Sequence, residues 1–247
     1  MDITTERVEI PANGGGTIGG YLARPADDAV RPAVIVFMEI FGINGHIRDV
    51  VERVAREGYV AIAPDYFHRT DPGAEQNYDD DGMAAGMILL GQLDADEMIS
   101  DARDTVAWLR SRDDVRGDRI GCMGFCIGGH MAYLAACETD IQAAASFYGG
   151  GIAAAKGMGG KASTIGRTEK MNARILCLFG EKDAAIPPDQ VEAIKTKLGE
   201  CDRRYEVVVY EGADHGFHCD QRPAYQKKAA EDAWERVMTL FKEELAG

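Results

Sequence analysis

Gly124-Phe125-Cys126-Ile127-Gly128 sets one thiol between two glycines. Glycine, any residue, nucleophile, any residue, glycine is the pattern of a strand-to-helix corner that lifts a reactive side chain above a sheet. The glycines let the chain turn sharply without a Cβ clash. A thiol at such a corner stands over a helix N-terminus, which favours a thiolate and then an oxyanion. Free cysteines are commonly inert core thiols, but packing alone does not ask for glycines at these spacings. The chemistry on offer is attack of Cys126 on a carbonyl carbon.

Three more polar residues stand just after apolar runs. Glu39 follows Ala33–Met38, Asp183 follows Ile175–Phe179, and His215 follows Tyr205–Tyr210. In an open parallel sheet, sites form at the carboxyl ends of strands, so the four residues are expected on one rim. The chain order nucleophile, Asp, His matches the triad order of one large class of hydrolytic sheets. Cys126 would attack, His215 would hold the proton and later activate water, and Asp183 would orient the imidazole. The oxyanion needs backbone donors, expected at Ile127 and Ile40. Each assignment has a plainer rival. Asp183 fits a turn or cap residue, His215 a solvated loop histidine, and Glu39 a surface carboxylate. His218 competes with His215, while His130 inside the following helix reads as structural. Asp214 competes with Asp183, but adjacent residues cannot easily place a carboxylate on the far imidazole nitrogen.

These positions need a sheet beneath them. Val8–Ile10 and Gly20–Arg24 read as a hairpin. The glycines between them, Gly14, Gly16 and Gly19, spell a dinucleotide fingerprint by letter, but a strand follows instead of a helix. Strands are expected at Ala33–Met38, Tyr59–Ala63, before Cys126, at Gln142–Tyr148, Ile175–Phe179 and Tyr205–Tyr210. Helices are expected over His46–Glu57, weakly over Met83–Leu93, then Asp96–Arg110, from the Cys126 corner onward, Pro187–Leu198 and Tyr225–Leu245. Residues 66–81 read as a polar loop. Residues 149–172, rich in glycine and lysine, read as a mobile loop or an active-site cover. Strand and helix alternate after residue 33, which argues a mainly parallel sheet with helices on both faces. With no composition break or internal repeat, residues 1–247 read as a single domain.

The 247 residues are 46% hydrophobic and 28% charged, as in a soluble globular protein. The net charge of −14 disfavours nucleic acid and anionic membranes as partners. No apolar run reaches the roughly 18 residues of a membrane span. The acidic start, Met1–Glu6, lacks the features of a signal peptide. A cytoplasmic location is expected, with the six cysteines reduced. They include no C-x-x-C pair, so the spacing gives no zinc motif.

With these residues in hand, the sequence resembles the dienelactone hydrolase family, the carboxymethylenebutenolidases. The marks are Glu39-Ile-Phe-Gly42, Gly124-Phe-Cys126-Ile-Gly-Gly129, Asp183 and His215-Gly-Phe217. The resemblance implies an α/β-hydrolase fold without a large cap domain. It implies hydrolysis of an enol-lactone or ester through a thioester acyl-enzyme. It implies that Glu39 helps to switch the thiol to thiolate when substrate binds, with no metal or organic cofactor. The expected partner is a small ester or lactone, and the expected state a monomer or small homo-oligomer. Two positions depart from the family's pattern of two arginines on the substrate carboxylate. Four residues after His215 stands Cys219, and no Lys or Arg occurs from Thr70 to Ala102. Arg222 and Arg69 are the candidate replacements. The acids between 70 and 102 then lack compensation within their segment, so neutral esters are expected to be hydrolysed at least as well as carboxylated lactones. Two other activities fit parts of the pattern: a broad carboxylesterase for neutral esters, and a redox-sensing or binding protein built on an activated Cys126. A sensor needs a resolving cysteine, and Cys122 lies inside an expected strand.

Overall fold

The computed structural model describes residues 1–246. Eight strands form one sheet: β1 (Ile3–Pro11), β2 (Thr17–Pro25), β3 (Arg31–Phe37), β4 (Val60–Pro64), β5 (Val115–Phe125), β6 (Ala143–Phe147), β7 (Arg174–Gly180) and β8 (Tyr205–Tyr210). Their order is β1-β2-β4-β3-β5-β6-β7-β8. The β1–β2 hairpin adds to β4 antiparallel, and every pairing from β4 to β8 is parallel. This is the α/β-hydrolase topology, and the described residues form no large cap. The central strands are continuous apolar runs because both faces are covered: Ala33 to Phe37 and Ala143 to Phe147 are all buried.

The six helices are α1 (Gly45–Arg56), α2 (Asp80–Leu90), α3 (Ala95–Arg110), α4 (Ile127–Glu138), α5 (Pro188–Glu200) and α6 (Lys227–Leu245). Asn44 caps α1 by accepting the Ile47 N–H at 3.2 Å. The helix then buries Ile47, Val50, Val51, Val54 and Ala55 as one stripe. His46 joins that buried face. α4 is buried nearly all round, as its run of small apolar residues requires.

Several boundaries differ from expectation for local reasons. α2 starts earlier than Met83 because the Asp79 carboxylate accepts the Gly82 N–H at 2.8 Å. β5 starts at Val115, since Val115 pairs with Arg31 of β3 ahead of a register shift that passes over the polar residues 116–119. The stretch 66–81 buries Tyr66 and Phe67, so it is less polar than its composition reads. Residues 149–172 hold two short 3-10 turns, Met158–Gly160 and Ile165–Lys170. They are fastened to α4: Tyr133 meets Thr168 at 2.7 Å, and His130 meets the Gly150 carbonyl and Thr164 at 2.8 Å each.

Candidate active site

Cys126 occupies the corner between β5 and α4 with φ 58° and ψ −120°. A non-glycine residue there costs about 1–3 kcal/mol and persists only where its surroundings hold it. The surroundings are backbone. A Cβ on Gly128 would lie 2.2 Å from the Phe37 carbonyl oxygen, and one on Gly124 would lie 2.0 Å from that of Gly128. The two glycines let α4 press against the ends of β3 and β5. The Cys126 N–H donates to the Phe147 carbonyl at 3.1 Å, which ties the corner to β6 as well. Cys126 is half-buried, whereas Cys122 is wholly buried, its thiol facing the Ala132 carbonyl at 3.7 Å. Burial pushes the Cys122 thiol up, so it makes a poor resolving partner.

Asp183 and His215 converge on the same rim. His215 Nδ1 donates to Asp183 Oδ2 at 2.7 Å, and Asp183 Oδ1 accepts the Ala185 N–H at 2.9 Å. The Asp183 side chain is fully buried. The Cys126 thiol lies near enough to the imidazole to act on its charge. Burial alone would lower the His215 pKa, but Asp183 and Cys126 outweigh it and raise it to about 10. Asp214 accepts the backbone N–H of His215 and so shapes the turn. His218 points away, buried among Phe125, Phe147 and Trp234. His130 spends both ring nitrogens on the 149–172 segment, and burial lowers its pKa to about 4.

Glu39 is completely buried at the end of β3. Tyr78 donates to its Oε2 at 2.8 Å, and Arg222 Nη1 to its Oε1 at 3.3 Å. Arg222 also faces the rings of Phe41 and Tyr78 at 5.6 and 5.7 Å. The flanking backbone at Met38 is held by the Tyr66 hydroxyl. Ile40 and Ile127, whose N–H groups are the candidate oxyanion donors, are both 3% exposed. α2 packs directly on the Ile40 segment: a Cβ on Gly86 would sit 2.8 Å from the Ile40 carbonyl oxygen.

Arg69 has other work. Its guanidinium grips Asp101 with two bonds of 2.7 Å. The acids of 70–102 are also compensated from outside their segment, with Arg48 on Glu75, Lys161 on Asp94 and Asp96, and Arg167 on Asp96. The expectation of uncompensated charge fails for these residues because the topology brings distant cations to them. Sequence reasoning also missed Tyr78 and Tyr148. Tyr148 sits at φ 38°, its ring 5.1 Å from His215 and its buried hydroxyl without a hydrogen-bond partner among the described residues. Both are single aromatics in irregular segments, where no period marks them.

The dienelactone hydrolase family profile matches residues 18–245. A Synechocystis protein named as a carboxymethylenebutenolidase is 43% identical, the match covering 99% of each chain. A Bradyrhizobium protein named as a 2-oxo-3-(5-oxofuran-2-ylidene)propanoate lactonase is 32% identical over 99% of this chain and 96% of its own. A Klebsiella pneumoniae crystal structure described as a dienelactone hydrolase superposes with a TM-score of 0.89 at 32% identity, covering 98% of this chain and all of the other. No helix among the described residues is long and apolar enough to cross a membrane.

Proposed function

This chain belongs to the dienelactone hydrolase family and is a carboxylic ester hydrolase of the lactone- or ester-cleaving kind; from that premise we propose a Cys126–His215–Asp183 mechanism through a thioester. The supporting observation is convergence: one imidazole bonds the buried Asp183 carboxylate at 2.7 Å, and both Asp183 and the Cys126 thiol raise its pKa.

The Cys126 thiolate attacks the carbonyl carbon, and the displaced electron pair goes to the carbonyl oxygen. The N–H groups of Ile127 and Ile40 receive that oxyanion. Collapse breaks the acyl–oxygen bond, and the His215 imidazolium protonates the leaving oxygen. The thioester remains on Cys126. Neutral His215 then takes a proton from water, and hydroxide adds to the thioester. The second collapse releases the carboxylic acid and restores the thiol–imidazole pair. Asp183 fixes the imidazole and stabilises its charge throughout.

Glu39 and Arg222 bring substrate binding into the same cycle. A substrate carboxylate placed on Arg222 would compete with Glu39 for that cation. The released Glu39 carboxylate would then take the Cys126 proton and hand it on to His215, supplying the imidazolium that protonates the leaving oxygen. Arg222 beside the reaction centre therefore favours carboxylated lactones, against the neutral-ester preference expected from the sequence.

Iodoacetamide labelling tests the nucleophile. One equivalent on Cys126 should abolish ester hydrolysis, since four of the other five cysteines are buried. Inactivation with the label on another cysteine would contradict the assignment.

A further inference from the structure

Glu39, His46 and Cys219 come from three separate segments: the end of β3, the first turn of α1 and the turn after His215. Each offers one ligand atom, and the three atoms lie within 4.8 Å of one another. The residues are 0%, 2% and 0% exposed. A cluster held together only by its own hydrogen bonds would leave no polar atom over, because buried polar atoms are nearly always paired. Here His46 Nε2 is buried with no hydrogen-bond partner among the described residues. Carboxylate, imidazole and thiolate are the ligand types of Zn2+, and three protein ligands leave its fourth position open.

We propose that Glu39, His46 and Cys219 bind a thiophilic divalent cation of the Zn2+ type, and that the bound ion inhibits hydrolysis by holding Glu39. Ligand distances of about 2.0–2.3 Å require the three side chains to draw together slightly. On binding, the Cys219 S–H bond breaks, a metal–sulfur bond forms, and the proton leaves to solvent. No electron is transferred. The ion takes the carboxylate that Tyr78 and Arg222 otherwise share. The site lies beside the triad without containing it, since Cys126, His215 and Asp183 supply none of the three ligands. Binding stands on the cluster alone, whereas inhibition rests on the role of Glu39 proposed above.

Cobalt titration of the full, metal-stripped chain tests binding directly, because a Co2+–thiolate bond gives a charge-transfer absorption. We expect one equivalent bound with that band. The band should vanish in Cys219→Ser and persist in Cys126→Ala. His46→Gln should weaken binding at least about tenfold, the least that a lost ligand costs when outer-shell changes already cost 10–100-fold. Circular dichroism on each variant separates a lost ligand from a lost fold, and His46→Gln serves if Cys219→Ser does not fold. No band from the folded wild-type chain would overturn the site. So would a band that survives Cys219→Ser but disappears in Cys126→Ala, which would put the ion on the nucleophile. Zn2+ should then inhibit ester hydrolysis reversibly, with chelator restoring it, and inhibit folded Cys219→Ser at least about tenfold more weakly. Binding at Cys219 without inhibition would overturn the inhibitory half and, separately, the role given to Glu39.

Discussion

Cys126 and Glu39 stand just past the ends of neighbouring strands, β5 and β3, whose final pairing is Phe37 with Gly124. They are held in opposite ways. Cys126 is placed by backbone: a left-handed φ, two glycines in contact with carbonyl oxygens, and a bond to β6. Glu39 is placed by side chains that compete for it, Tyr78 and Arg222, with Cys219 and His46 close by. A backbone corner has one geometry, so it suits a nucleophile that must wait in position. A shared carboxylate can be passed between partners, so it suits a group that responds to substrate.

If that difference is real, the triad side should break absolutely and the Glu39 side conditionally. The largest effect is expected from His215→Ala, which should lower kcat by more than about 10³-fold for every substrate. Comparable loss in His218→Ala, with His215→Ala active, would put the base on the wrong histidine.

Asp183→Asn should cost less and should shift the pH profile. His215 titrates near 10 because Asp183 and Cys126 overcome burial, against an ordinary 6.5. The pair's contribution to stability is therefore complete below about pH 6.5 and is lost as pH rises through about 10. Without the carboxylate, burial weighs more and the pKa falls. The alkaline limb of kcat/KM should move toward neutral pH, read as an apparent value of the thiol–imidazole pair. An unmoved limb would mean that Asp183 does not set the imidazole's charge.

The smallest and most selective effect belongs to Arg222→Ala. It should reduce kcat/KM for a carboxylated lactone by about tenfold or more, the scale of one lost charge-assisted bond of about 1.5–3 kcal/mol, and leave a neutral nitrophenyl ester much less affected. Equal loss on both substrates would make Arg222 a structural partner of Glu39 only.

The same contrast explains what the sequence disclosed. The corner was legible because glycine spacing reports a backbone geometry directly. Asp183 and His215 were legible because each follows an apolar strand in a parallel sheet. Tyr78, His46 and Cys219 were not. They reach Glu39 from a loop, a helix start and a turn, and only the three-dimensional crossing of those segments makes them neighbours. The fold was largely readable from alternating apolar runs, but α2 began early on the Asp79 cap. The 149–172 segment, read as mobile or as a cover, is fastened by His130 and Tyr133, whose partners lie more than 15 residues away.

Acid quenching during turnover of a slow ester, followed by peptide mass mapping, tests the central claim most directly. The acyl mass should appear on the peptide carrying Cys126 and be released by hydroxylamine, as a thioester is. An acyl group on a serine or threonine, or turnover with no covalent adduct at any quench time, would contradict the account.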